Sequence, residues 1–268
     1  LASVVAFVVR YYGFHLRRHE DRITVSHGLF AAQEGSLSRR RIQSVKLEEG
    51  VLRRWLGRAS VRVDNAGDRE EVDDNKKRNV LLPVAPVRLA IQLVCELVEG
   101  LDDLHFTPLG AERTDSDPKS RLDWQRLSPL AIQRGSRKGW LVAMLALIQL
   151  SWAFGWYSLC ILPAFPAIYL LNRQWFRYTG FCVGERHFLL SRGWVNRSTL
   201  CLPLENIQNV TVFQSPFDRR LNLATLSIDT AGQSNTGGGP VIRNLPLRTA
   251  LGLRHRLAAH AACSEFVW

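Results

Sequence analysis

Lysine is scarce in this sequence, cysteine is thinly scattered, and one long stretch carries no charge at all. Only five lysines (Lys46, Lys76, Lys77, Lys119 and Lys138) stand among 35 basic residues, so the net charge of +11 rests mostly on arginine. A positive balance of this size favours anionic surfaces, either nucleic acid or acidic lipid headgroups. The five cysteines (Cys95, Cys160, Cys182, Cys201 and Cys263) show no pair at zinc-ligand or redox spacing, which fits reduced, unpaired thiols in a cytoplasmic setting. The seven histidines contain no H-x-x-x-H, and His255 and His260 are five apart, off a common helix face. No serine sits in a G-x-S-x-G elbow, and Gly237–Gly239 run into Pro240 and a predicted strand instead of a helix, so they form no phosphate loop. No catalytic residue, metal or cofactor is therefore expected. The basic stretches also lack the interleaved aromatics that would stack bases, which argues against nucleic acid.

What is present begins with the uncharged run from Trp140 to Leu171. As one helix it would reach about 48 Å against a hydrocarbon core of about 30 Å, so a single straight span fits poorly. Trp152, Gly155, Trp156 and Tyr157 suit an interfacial turn, and Pro163 and Pro166 would kink the second arm. Arg134, Arg137 and Lys138 precede the run and Arg173 and Arg177 follow it, so a transmembrane helical hairpin over 139–172 with both ends cytoplasmic is expected. The opening LASVVAFVV reads as the end of a truncated transmembrane helix over 1–10.

The second half repeats the first. Shifted by 165 positions, Ile23–Gly67 aligns with Phe188–Gly232 without a gap, and 12 of 45 positions are identical. SHG (26–28) meets SRG (191–193), RIQSV (41–45) meets NIQNV (206–210), and RRWLGRASVRVDNAG (53–67) meets DRRLNLATLSIDTAG (218–232). YYGF (11–14) meets YTGF (178–181), and LLPV (81–84) meets NLPL (244–247) at nearly the same offset.

Each copy reads as short β runs, with glycine turns at Gly28 and Gly193: Arg22–Ser26, Leu29–Ala32, Ile42–Leu47 and Ala59–Val63, matched by His187–Ser191, Trp194–Arg197, Ile207–Phe213 and Ala224–Ile228. An amphipathic helix closes each copy. Leu89, Leu93, Val94, Leu97 and Val98 are expected inward in the first, and Leu251, Leu257, Ala258 and Ala261 in the second. The fold class is therefore α+β: two repeated PH-like β-barrel or sandwich modules (11–105 and 173–268), a linker (106–138) with a candidate interfacial helix, and the membrane hairpin between them.

This ordered set of motifs resembles the bacterial PH-like, membrane-flanked domain family, the YdbT-like proteins. The resemblance covers nearly the whole chain outside 106–138. The first copy departs from it, with Asn65 for Thr and a charged loop (67–79) where the second copy has glycines. The resemblance implies a membrane-associated, non-catalytic module.

Asp64 and Asp229, each followed two residues on by alanine, invite comparison with an aspartic-protease dyad, but the alanines replace the glycine such a site needs. Their shared position makes them strand-and-turn landmarks with Gly28, Gly67, Gly193 and Gly232. The candidate contacts for anionic headgroups are Arg17, Arg18, Arg39, Arg40, Arg41, Arg53, Arg54, Arg219 and Arg220. The expected role is a binding or scaffold module at the cytoplasmic face of the bacterial inner membrane, with the lipid bilayer, anionic lipids or another membrane protein as partner. A regulatory accessory to a transport or export system is the alternative, and an aspartic-protease-like enzyme the third.

Overall fold

The computed structural model describes residues 9, 12–19, 22–29, 33–65, 80–98, 101, 124–156, 160, 162–230 and 239–263. Within them the repeat holds down to individual strand pairs. Strand β4 (Ile42–Glu49) alternates buried Val45 and Leu47 with half-buried Lys46 and Glu48, as a strand with one core face should. It pairs antiparallel with β5 (Arg58–Asn65): Ser44 opposes Asp64, Val45 opposes Val63 and Leu47 opposes Val61. Strands β11 (Ile207–Phe213) and β12 (Leu223–Thr230) reproduce this 165 residues later, with Asn209 opposite Asp229, Val210 opposite Ile228 and Val212 opposite Leu226. Even the irregularity recurs, between Ile42 and Ser44 in one copy and Ile207 and Asn209 in the other.

The first copy starts with β1 (His15–His19), β2 (Arg22–His27) and β3 (Gln33–Ser38), an antiparallel sheet. A 3₁₀ turn at Arg39–Arg41 leads into β4, helix α1 (Val51–Trp55), β5, β6 (Val80–Pro86) and helix α2 (Val87–Leu97). After β7 (Gln125–Arg126) come α3 (Leu130–Phe154) and α4 (Ala164–Arg177), then the second copy. That copy runs β8 (Gly180–Val183), β9 (His187–Arg192), β10 (Arg197–Pro203), a 3₁₀ turn at Leu204–Asn206, β11, α5 (Pro216–Arg220), β12, β13 (Val241–Pro246) and α6 (Leu247–Cys263). Each copy is a PH-like sandwich of two three-stranded layers closed by a helix, β1–β3 with β4–β6 in the first and β8–β10 with β11–β13 in the second.

The copies are sewn together. Strand β4 pairs on its second side with β10, giving one seven-stranded sheet in the order β6-β5-β4-β10-β9-β8-β7. Glu49 opposes Arg197, Leu47 opposes Thr199 and Val45 opposes Cys201. One hydrophobic core follows from this: Val45, Leu47, Val61 and Val94 of the first copy pack in a cluster with Cys182, Leu189 and Cys201 of the second. A separate cluster of Phe188, Leu202, Leu226, Ile242 and Leu257 fills the second sandwich.

Several expectations change. The run expected at Trp194–Arg197 begins only at Arg197, because the chain turns at 194–196 before β10, while residues 30–32 of the run expected at Leu29–Ala32 lie outside the described residues. The structural match of β6 to β13 is Ala85 with Leu245 and Pro86 with Pro246, since each pair meets the same positions on β5 and β12; the Leu-Pro alignment of LLPV with NLPL is out of step by a few residues. The closing helices turn a slightly different face inward: Ala90, Val94 and Leu97 in α2, and Ala250, Leu253 and Leu257 in α6. Leu89 and Leu251 are exposed instead.

The transmembrane helical hairpin over 139–172 is also corrected. Helices α3 and α4 do pack on each other, but among the described residues no helix is long and apolar enough to cross a membrane. Helix α3 starts back at Leu130 and includes Arg134, Arg137 and Lys138, and it stops where Gly155 takes φ 57°. Its uncharged part, from Gly139 to Phe154, reaches only about 24 Å. Helix α4 is 14 residues long and carries Asn172, Arg173, Gln174 and Arg177 in its second half. Residues 1–8 and 10 of the expected N-terminal span, and Gly67 and Gly232, lie outside the described residues.

Candidate functional site

The hairpin is held by small residues. Ala131, Gly135, Gly139 and Ala143 recur every fourth position along α3 and so share one face. A Cβ on Gly139 would stand 2.8 Å from Cγ2 of Ile168, and one on Gly135 would stand 2.9 Å from Cε2 of Phe176. Backbone approach is therefore close, and the Trp140 indole donates to the Phe165 carbonyl across the pair at 3.2 Å. This inward stripe leaves the large side chains outside. Leu141, Val142 and Leu145 are 58%, 67% and 61% exposed, and Ile148 is also exposed. At the tip Trp152 is 95% and Trp156 84% exposed. Apolar surface on this scale is uncommon on a chain that remains alone in water.

The foot of the hairpin is clamped to the second copy. Helix α5 begins with a capping box: the Ser215 hydroxyl accepts from the Asp218 backbone N–H, while Asp218 accepts from the Ser215 backbone N–H. Arg134 of α3 donates to Asp218 Oδ1 at 2.7 Å, and its guanidinium lies 5.7 Å from the centre of the Phe217 ring. Burial pushes the Asp218 carboxyl up, but hydrogen bonds from Ser215 and Arg134 outweigh it and hold the group below the ordinary carboxylate range. Arg134, expected as a flanking charge, is therefore a structural anchor, while Arg137, Lys138, Arg173 and Arg177 remain exposed around the foot.

A shoulder beside the foot joins both copies. Gly193 takes φ 89°, and a Cβ there would fall 2.2 Å from the Asn196 carbonyl oxygen, so only glycine permits the tight turn that presents Trp194 and Val195. That turn and Leu171, Asn172 and Trp175 of α4 enclose a groove of about 390 Å³. Arg54 of α1 donates to the Trp194 carbonyl at 3.0 Å, bringing α1 against the same turn. Helix α1 exposes Leu52 and Trp55, and Leu56 just after it is exposed as well. Neither this apolar shoulder nor the Arg54 contact leaves a signal in the sequence.

A second cavity, of about 340 Å³, is lined by Leu127, Trp175, Thr179, Arg192, Ile242 and Arg243 among others. Burial and the neighbouring Arg243 both lower the pKa of Arg192, which donates to the Val241 carbonyl. Among the described residues neither arginine has a carboxylate partner, so a bound anion would relieve the repulsion between them.

The nine arginines named from the sequence are spread over several elements. Arg17 is exposed on β1, and Arg41 is exposed at the 3₁₀ turn before β4. Arg39 in that turn bonds the Leu97 carbonyl, Arg53 bonds the Ser60 hydroxyl at 2.6 Å, and Arg54 bonds Trp194. Arg219 and Arg220 are exposed on α5, while the side chains of Arg18 and Arg40 lie outside the described residues. Asp64 accepts from the Ser44 hydroxyl at 2.8 Å on the seven-stranded sheet, whereas Asp229 is exposed on a different, three-stranded sheet. Among the described residues no cluster of His, Cys, Asp and Glu could hold a metal ion.

Comparison with known proteins adds two findings. A family model described as "Bacterial PH domain" matches residues 1–97 and 129–261, which is most of the chain and both copies of the repeat. The UPF0699 transmembrane protein YdbT of Bacillus subtilis (strain 168) is 22% identical over 233 residues. That alignment covers 87% of this chain but only 44% of the relative, so the chain spans less than half of the relative's length. No solved structure matches.

Proposed function

The chain belongs to the bacterial PH domain family, and from that membership we propose that it is a non-catalytic binding module that docks on anionic membrane surfaces through the α3–α4 hairpin. The observation that carries this reading is the hairpin's exposed apolar face, ending in Trp152 and Trp156 and ringed at its foot by Arg137, Lys138, Arg173 and Arg177. Tryptophan favours the headgroup region, and each arginine or lysine near an anionic leaflet contributes about 1 kcal/mol. The hairpin dips into one leaflet without crossing it, and the shoulder of Trp55, Leu52 and Val195 rests at the interface. Arg192 and Arg243 offer a place for a headgroup phosphate, with the arginines of α1 and α5 adding long-range attraction. The description of the Bacillus subtilis relative as a transmembrane protein supports a membrane setting.

Flotation of the whole chain with protein-free vesicles tests this. Binding should be strong on phosphatidylglycerol-containing vesicles, weaker on pure phosphatidylcholine, and reduced at high salt. The double variant Trp152→Ser/Trp156→Ser should lose at least tenfold in partitioning, corresponding to about 1.4 kcal/mol. An unchanged double variant, or no flotation at all, overturns the reading. Binding only to native membranes would move the target to a membrane protein.

A further inference from the structure

We infer that the open edge of β11 pairs with the open edge of β3 of a second copy of this chain, repeating between molecules the β4–β10 junction found within one. The junction joins a β4-type strand of one sandwich to a β10-type strand of the other. By the 165-residue repeat, β11 is the counterpart of β4 and β3 the counterpart of β10. Among the described residues both are edge strands: β11 is hydrogen-bonded only to β12, with α6 packed against it, and β3 only to β2. The junction is head-to-tail, so it uses one edge from each copy and, among the described residues, leaves the complementary edge of each unpaired. A heterologous contact of this kind is satisfied by adding further copies.

The chemistry of the two edges fits the pairing. Advancing β4 and setting back β10 by 165 carries the pair Val45–Cys201 onto Val210–Ser36, and Lys46–Leu200 onto Thr211–Gly35. The β11 sequence IQNVTVF has no charge and no proline, the usual devices that keep an exposed edge from pairing. Phe213 at its end is 64% exposed.

Two side-chain clamps hold the existing junction. Arg54 donates to the Trp194 carbonyl, and Asn206 donates through Nδ2 to the carbonyls of Ile42 and Gln43 at 3.1 and 3.2 Å. The counterpart of Arg54 is Arg219, also arginine and exposed, whose target by the same shift is the Leu29 carbonyl. The counterpart of Asn206 is Arg41, exposed and likewise a donor, whose targets are the carbonyls of Ile207 and Gln208. Arg219 makes no ion pair among the described residues. The repeated junction gives its identity with Arg54 a physical reason.

This inference is independent of membrane docking and is tested on the whole chain in mild detergent, without vesicles. In a Cys160→Ser/Cys263→Ser background, differently tagged Ser36→Cys and Val210→Cys chains are mixed and gently oxidised, since facing strand residues are within disulfide reach. The expected product is a disulfide-linked heterodimer well above the yield of either homodimer. A statistical mixture of the three dimers overturns the inference. Sedimentation velocity of the unsubstituted chain should show concentration-dependent species beyond a dimer, and Arg219→Glu, at an exposed position, should weaken that association at least tenfold. A chain that stays monomeric at every concentration, or an Arg219→Glu variant that associates equally well, also overturns it.

Discussion

Glu49 stands at the seam between the two copies, at the end of β4 and opposite Arg197. Burial pushes its carboxyl pKa up, and the nearby Arg197 and Arg54 offset that only in part. A carboxyl whose folded pKa is raised favours folding when protonated. Its contribution is fully present below the unfolded value and is lost as pH rises through the folded one. Glu49→Gln should therefore raise the melting temperature at neutral pH, with the gap closing as the solution is acidified below the folded pKa. Thermal melts from neutral to acidic pH read this directly, and a lower melting temperature for Glu49→Gln at neutral pH would mean that the Arg197 attraction dominates. Cys201, in the same seam, has its thiol pushed up to about 12 by burial, so it should resist maleimide in the native chain while exposed Cys160 reacts. Mass spectrometry of the labelled peptides distinguishes the two sites. The equivalence of Asp64 and Asp229 is legible in sequence because flanking residues repeat with them. The grip of Asn206 on Ile42 is not, because a contact across 164 positions leaves no local pattern.

Among the elements, strands are more legible than helices. Alternation marks β4, β5, β11 and β12 to within a few residues, since a sheet with one buried face imposes period two on the chain. The five-residue helices α1 and α5 are too short for any periodicity, although the S-P-F-D box at 215–218 is a readable helix start. The hairpin is legible as two apolar arms, but its status as a span is not. Absence of charge from Trp140 to Leu171 says nothing about where helix α3 begins, and its start at Leu130 draws three basic residues into the same helix. The small-residue stripe makes a specific prediction. Gly139→Val would force Ile168 aside and should loosen the α3–α4 packing by about 1–3 kcal/mol, the usual range for overpacking. Hydrogen exchange should quicken in α3 and α4 while the β4–β10 amides keep their protection. Equal loss of protection in the sheet would show that the hairpin is not a separate packing unit.

At the scale of the molecule, the β4–β10 junction decides how the repeat behaves. Two sandwiches on a plain tether would unfold independently, each with its own transition. Here the cluster around Val45 and Leu47 includes Cys182, Leu189 and Cys201, so the core of the first copy is completed by strands of the second. Removing atoms from that cluster must therefore be felt on both sides of the seam. Leu47 is 1% exposed, and Leu47→Ala should cost about 2–5 kcal/mol through lost burial and the cavity left behind. The expected calorimetric trace is one transition moved to lower temperature, with probes in β9 and β5 melting together. Two transitions, with only the one assigned to the first copy displaced, would sink the idea of a shared core. A single displaced transition would make the duplicated module a cooperative platform, with the hairpin clamped to the same body through Arg134 and Asp218. A force on the hairpin would then reach the first copy through the second sandwich and the β10–β4 ladder of the seven-stranded sheet, and not as motion about a hinge.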